Sequence, residues 1–154
     1  MSSLDRPQVK FPPPVFYLAM ILLGYGLDQW LPWHWQADFI SAWLGVALVG
    51  MGLMLIAWAA TCFRRHKTTI LPHKASSTII QEGPFQLSRN PIYLAFTLIQ
   101  VGAGIALGNV WILALVYPTV RIMNQHVIAK EEAFLRQAFG EEYMRYLAVT
   151  RRWI

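Results

Sequence analysis

A single cysteine, Cys62, stands in the 154 residues, so neither a disulfide framework nor a cysteine-rich metal site is possible within one chain. The redox compartment is left undecided. Charge is also scarce: Asp, Glu, Lys and Arg make up 14% of the chain, against about 25% in typical soluble domains. The four histidines, His34, His66, His73 and His126, are scattered without metal-ligand spacing, which argues against a metal site. There is no P-loop or GxGxxG. No Ser-His-Asp or Cys-His arrangement can be argued either, so covalent nucleophilic catalysis has no sequence basis. Internal repeats and low-complexity segments are absent as well.

What the chain has instead is apolar length. Hydrophobic residues make up 56%, above the roughly 45–50% of soluble domains, and they are gathered into runs. Phe39 to Phe63 carries no charge for 25 residues, long enough for a spanning helix of about 20 residues. Val15 to Leu27 is shorter and reaches spanning length only if it extends to Leu31, past Asp28 and Gln29; Pro14 is acceptable in its first turn. Pro91 to Leu107 is uncharged over 17 residues, and a further apolar run begins at Val110. The intervening Gly108-Asn109 predicts a tight antiparallel hairpin. The stretch "GIALG" at 104–108 matches the GxxxG pattern, which in apolar sequence more often marks ordinary helix packing than a specific dimer.

The basic residues sit at the ends of these runs. Arg64, Arg65, Lys67, Lys74 and Arg89 lie in one loop and Lys130, Arg136, Arg145, Arg151 and Arg152 in the C-terminal segment, while 28–38 and 108–109 have neither Lys nor Arg. Four spans with both termini in the cytoplasm satisfy every loop under the positive-inside rule. The net charge of +5 therefore reads as membrane-orienting, the partner as the lipid bilayer, and nucleic acid is not indicated. Trp30, Trp33, Trp35 and Trp111 would mark the outer interface. The first run lacks a convincing small-x-small cleavage site and reads as an uncleaved anchor. After the fourth span, Phe134, Leu135, Ala138 and Phe139 recur at helical spacing, Gly140 is a C-terminal stop, and Tyr143, Tyr146 and Leu147 restart the pattern. The fold class expected is an all-α integral membrane domain of about four transmembrane helices with a cytoplasmic amphipathic tail. Residues 1–63 form its two N-terminal spans and 64–154 its chemistry-bearing core.

Polar chemistry concentrates at two places. In "GPFQLSRNPIYL", residues 83–94, Asn90 is the expected N-cap and Pro91 the first helical residue. Such a helix start presents free N–H groups, and Arg89 adds a planar fork of donors, a combination suited to a carboxylate or phosphate. The rival reading makes Arg89 a headgroup anchor and Asn90 a plain cap. At the end of span four stand Arg121, Asn124, His126, Glu131 and Glu132, and an ionisable group in a span is a functional candidate. Glu131 lies one turn before Leu135 and shares its apolar side, so it is the expected inward carboxylate. Glu132 is four residues before Arg136 and is expected to form a surface pair.

Taken together, "EGPFQLSRNPIYLAF" and "VIAKEEAFLRQAFGEEYMRYLAVTRRW", in this order and separated by a helical hairpin, resemble the isoprenylcysteine carboxyl methyltransferase and phospholipid methyltransferase superfamily of integral membrane enzymes. The resemblance covers about residues 64 to 154. It implies an S-adenosylmethionine cofactor between hairpin and tail, held by Gly83, Pro84, Phe85, Ser88, Arg89, Asn90, Pro91, Tyr93, Glu131, Glu132, Tyr143 and Tyr146. Within that set Arg89 and the helix start suit the α-carboxylate, Glu131 or Glu132 the α-amine and ribose, and Phe85, Tyr93 or Tyr146 the adenine. Arg121 and Glu131 are the catalytic candidates, and the acceptor implied is a hydrophobic small molecule or lipid. The implied location is a bacterial inner membrane with the cofactor site cytoplasmic. Members acting on prenylated cysteine carry His where this chain has Asn90, and another His where it has Ser77, which loosens the substrate more than the cofactor. A non-catalytic membrane ligand-binding subunit and a nicotinamide-dependent reductase are the alternatives; the oligomeric state is open.

Overall fold

The computed structural model describes residues 12–66 and 79–154. The basic-loop positions Lys67 and Lys74, and Ser77, lie outside the described residues. Apart from one isolated bridge between His34 and Asn109, the described chain is helical. In order come α1 (Pro13–Trp30), α2 (Phe39–Arg65), α3 (Pro84–Leu87), α4 (Pro91–Ala106), α5 (Val110–Ala114), α6 (Val116–Met123), a π turn (Asn124–Ile128), α7 (Ala129–Phe139) and α8 (Glu141–Val149).

The boundaries follow from local chemistry. Asp38 caps α2, its carboxylate accepting from the Ser41 N–H at 2.7 Å, and Arg64 and Arg65 occupy the last turn, where cations meet the negative end of the helix dipole. The hairpin between α4 and α5 forms as expected. Gly108 adopts φ +61°, and a Cβ there would come within 2.1 Å of the Trp35 carbonyl oxygen, so only glycine fits. Asn109 then caps α5 by accepting from Ile112 N–H at 2.9 Å. The helix breaks at Leu115 because Pro118 has no N–H to offer the Ala114 carbonyl four residues back. The π turn follows one helix later, and such turns are frequent at functional sites. Gly140, at φ +51°, separates α7 from α8.

Among the described residues one helix, Phe39–Arg65, is long and apolar enough to cross a membrane, and Pro91–Ala106 is a shorter apolar helix. Large side chains such as Trp43, Met51, Met54 and Trp58 project outward from α2. Its inner face is the opposite, with Gly45, Gly52 and Ala59 buried at seven-residue spacing. They meet Ala95 and Gly102, also seven apart and buried on α4. Contact is backbone to backbone: a Cβ on Gly45 would lie 2.5 Å from the Gly102 carbonyl oxygen, and one on Gly52 2.7 Å from that of Ala95. The pairing is antiparallel, as small-residue helix seams permit. The GxxxG pair at 104–108 also serves packing within the chain. Gly104 sits against Leu113 and Ile112, and Gly108 makes the turn.

At the hairpin end, the 31–38 connector lies over the turn. Trp35 N–H donates to the Gly108 carbonyl at 2.9 Å and Val110 N–H to that of Trp33 at 3.0 Å. Trp111 Nε1 reaches the Leu31 carbonyl at 2.8 Å, and Trp33 and Trp111 stack edge to face. Asp28 pairs there with His34 at 3.0 Å, and the arginine and glutamate chemistry lies at the other end, where α1, α4, α6 and the tail converge.

Candidate functional site

The tail folds back onto the start of α4, and Arg89 is the hinge of that docking. Its N–H donates to the Arg151 carbonyl at 2.9 Å. One arm of its guanidinium, Nη1, donates to the carbonyls of Leu147 and Thr150 at 3.3 and 3.0 Å, satisfying the orphan carbonyls at the end of α8. The other arm, Nη2, reaches Glu132 Oε1 at 3.1 Å. Arg89 Nε is buried without a partner among the described residues. Arg89 is thus neither a headgroup anchor nor an uncommitted anion fork, since most of its donors hold the protein's own tail.

Asn90 and Pro91 start α4 as expected, but the Asn90 side chain does not cap it. Its Nδ2 donates instead to the Arg152 carbonyl at 3.0 Å, and Ser88 Oγ donates to the same oxygen at 3.1 Å while accepting from Asn90 N–H. The tail outcompetes local capping because the non-helical segment at 150–153 arrives with carbonyls that need donors.

The two glutamates are placed differently from the sequence expectation. Glu132 is no surface group: its side chain is 4% exposed. Arg152 grips it at two points, Nε to Oε1 at 3.0 Å and Nη2 to Oε2 at 2.5 Å, with Arg89 as the third donor. The expected pair with Arg136 exists but is long, at 3.7 Å. Helical spacing from Arg136 pointed outward, and the returning tail covers that face. Glu131, expected to be the inward one of the pair, is half-buried and less enclosed than Glu132, and it accepts from Tyr93 O–H at 2.7 Å. Among the described residues it has no cationic partner. Burial pushes its carboxyl up to about 7, the Tyr93 hydrogen bond opposing and the neighbouring Glu132 charge adding to the rise. A partly buried carboxylate without a counter-charge is suited to a cation.

Behind Tyr93 stands Tyr17 of α1, its hydroxyl 2.9 Å from Thr97 Oγ1 and 3.3 Å from the Tyr93 carbonyl. Tyr17, Tyr93, Met123, Val127 and Ile128 form one core cluster, with Trp153 packed against it. Tyr146 O–H donates to the Phe85 carbonyl at 2.6 Å. Phe85 packs edge to face on Phe63, and Gly83, at φ +58°, fits against Cys62 and Trp58. Gly83, Pro84 and Phe85 thereby seat the loop on the end of α2. Tyr143 is buried beside Tyr146. Arg121 is exposed on α6, and none of the contacts joining Arg89, Glu131 and Glu132 includes it. Tyr17, Thr97, Arg152 and Trp153 join the site without being candidates by sequence, and Asn124, a polar residue at the end of the fourth apolar run, joins it through Trp153. For Arg152 and Trp153 the signal was available in the "RRW" that ends the tail motif; for Tyr17 there was none.

The phospholipid methyltransferase family model matches residues 40–142. Protein-S-isoprenylcysteine O-methyltransferase B of Arabidopsis thaliana is 30% identical over 134 residues, 84% of this chain and 63% of that protein. The cobalt-zinc-cadmium resistance protein CzcN of Cupriavidus metallidurans is 26% identical over 132 residues, 84% of this chain and 56% of its own length. An uncharacterised protein of Haemophilus influenzae is 37% identical over 65 residues, 41% of this chain and all of that one. The chain thus spans 56% and 63% of the lengths of CzcN and the plant methyltransferase. No solved structure shows significant similarity to it. With two thirds of its length, including α4, the hairpin and the paired glutamates, inside the match, the chain belongs to the phospholipid methyltransferase family.

Proposed function

We propose that the protein transfers a methyl group from S-adenosylmethionine to an O, N or S atom of a hydrophobic or lipid-like acceptor at the membrane. The observation that carries this reading is the asymmetry of the paired carboxylates: Glu132 is saturated by arginines, whereas among the described residues Glu131 is met by the Tyr93 hydroxyl and no cation. The cofactor has two cationic centres, an ammonium and a sulfonium, and both suit an uncompensated carboxylate beside aromatic rings. When bound, the cofactor supplies an electrophilic methyl group. The chain supplies alignment and a site sheltered from water: Glu131 orients the cation, Tyr93 orients Glu131, and the docked tail shields both. The four-span arrangement with cytoplasmic termini belongs to the same reading, supported by the basic ends of the apolar runs; labelling of a cysteine at position 108, in a Cys62-free background, only from the cytoplasmic side would overturn it.

Incubation with radiolabelled S-adenosylmethionine and a total lipid extract is expected to label an organic-soluble product. Label confined to water-soluble compounds counts against a lipid acceptor, and cofactor binding without transfer favours a ligand-binding subunit.

Ionisation of Glu131 gives a second expectation. Its folded-state value is raised to about 7, so the carboxylate a cation needs is lost as pH falls through that value. Between pH 7.5 and pH 6 cofactor affinity should fall roughly eightfold by linkage. In Glu131→Gln the affinity should be weak and nearly flat over this range. A native profile that is equally flat by calorimetry removes Glu131 from the cation site.

A further inference from the structure

Resting on the reading of Glu131 as the cation-facing carboxylate, we propose that Arg152 and Trp153 are positioning residues that give two adjacent carboxylates different tasks. They commit Glu132 to the tail and keep Glu131 open to a ligand's cation. Both lie beyond the family-matched stretch, which ends at 142.

Glu131 and Glu132 are chemically identical neighbours, so only their surroundings can separate their roles. Arg152 makes the difference on one side. Its fork takes both Glu132 oxygens, and a two-point charge-assisted contact fixes a carboxylate in orientation as well as in charge. Trp153 acts on the other side. Its Nε1 donates to Asn124 Oδ1 at 3.1 Å, pinning the first residue of the π turn, whose extra residue sets the rotation at which α7 presents its glutamates. The Trp153 ring also packs on the cluster containing Tyr93, whose hydroxyl holds Glu131. Residues 150–153 form a strap fastened at the Arg151 and Arg152 carbonyls by Arg89, Ser88 and Asn90, so both residues are placed by backbone contacts independent of their side chains.

The charged and titratable groups around Glu131 come from every packed element. Among the described residues they are Tyr17 of α1, Arg89 before α4 and Tyr93 within it, Lys130, Glu132 and Arg136 of α7, Tyr143 of α8, and Arg152 of the tail. Removing Arg152 leaves the Glu132 charge less compensated beside Glu131, so the Glu131 proton should be held more tightly. Removing the Glu132 charge should do the reverse.

The test is a pH titration of the Glu131 carboxyl by carbon-13 NMR of the cofactor-free full chain in detergent, labelled in glutamate, with Glu131→Gln identifying the signal. Arg152→Gln should raise the midpoint by at least half a unit, about threefold in proton affinity, and Arg152→Lys should return it toward the native value. Glu132→Gln should lower it, and this variant decides the matter if Arg152→Gln does not fold. An unchanged or lowered midpoint in Arg152→Gln with the tail still docked, judged by trypsin resistance at Arg145, overturns the proposal; where the tail is released, Glu131 is re-solvated and Glu132→Gln decides, an unchanged or raised midpoint there overturning it. A native midpoint in Trp153→Ala removes Trp153 from it. Shifted midpoints without methyl transfer refute the reaction and keep the positioning; normal transfer with unmoved midpoints refutes the positioning alone.

Discussion

Arg89→Ala is expected to release the carboxy-terminal tail. The substitution leaves a 4%-exposed carboxylate short of one partner and strips the carbonyls of Leu147 and Thr150 of their donor. Breaking a buried ion pair from one side costs about 3–5 kcal/mol, a sizeable fraction of a small domain's stability. Arg152 still neutralises Glu132, so the lower end of that range applies. Trypsin should then cut at Arg145 and Arg151 far faster than in the native protein, and cofactor affinity should fall by one to two orders of magnitude as the Glu131 site opens. Arg89→Lys should restore only part of either property, because a point charge cannot span Glu132 and the α8 carbonyls together. Arg136→Ala is the control: its side chain is 52% exposed and 3.7 Å from Glu132, a surface pair contributing well under about 1 kcal/mol. Equal trypsin sensitivity in Arg89→Ala and Arg136→Ala would show that Arg89 does not hold the tail.

Gly45→Leu should be as damaging, with no polar group involved. The new Cβ would stand 2.4 Å from Ala106 N and 2.5 Å from the Gly102 carbonyl oxygen. Both are backbone atoms, so no side chain can rotate away and α2 must move off α4. Overpacking typically costs about 1–3 kcal/mol. Here the cost should reach or exceed the top of that range, because separating the helices forfeits dispersion contacts along the whole seam. Gly50→Leu, five residues on in the same helix and with nothing among the described residues within 4 Å of its Cβ, should be tolerated. The fraction of each protein surviving stepwise heating in detergent decides it. Survival of Gly45→Leu at the level of Gly50→Leu would mean that the two helices do not pack at this seam.

Local and periodic features were legible in the residues themselves. The 25 uncharged residues from Phe39, the turn at Gly108-Asn109, the helix start at Pro91 and the stop at Gly140 each depend on propensities acting over a few positions. The paired motifs around Arg89 and Glu131 carried the family likeness, and Glu131 was read as inward from its place one turn before Leu135. Glu132 was read as a surface group from the same helical geometry, and its burial could not be foreseen, because the cover comes from Arg152, twenty residues away. Asn90 looks like a cap by residue type; the returning tail offers its amide a carbonyl, and the side chain takes it. Tyr17 carries no motif and joins the site only because α1 packs beside α4. Residue chemistry and spacing along the chain thus determined which groups are present and where the helices run. Tertiary structure alone decided which of two identical neighbouring carboxylates is neutralised, because charge compensation depends on what lies within about 3 Å in space, whatever its distance in sequence.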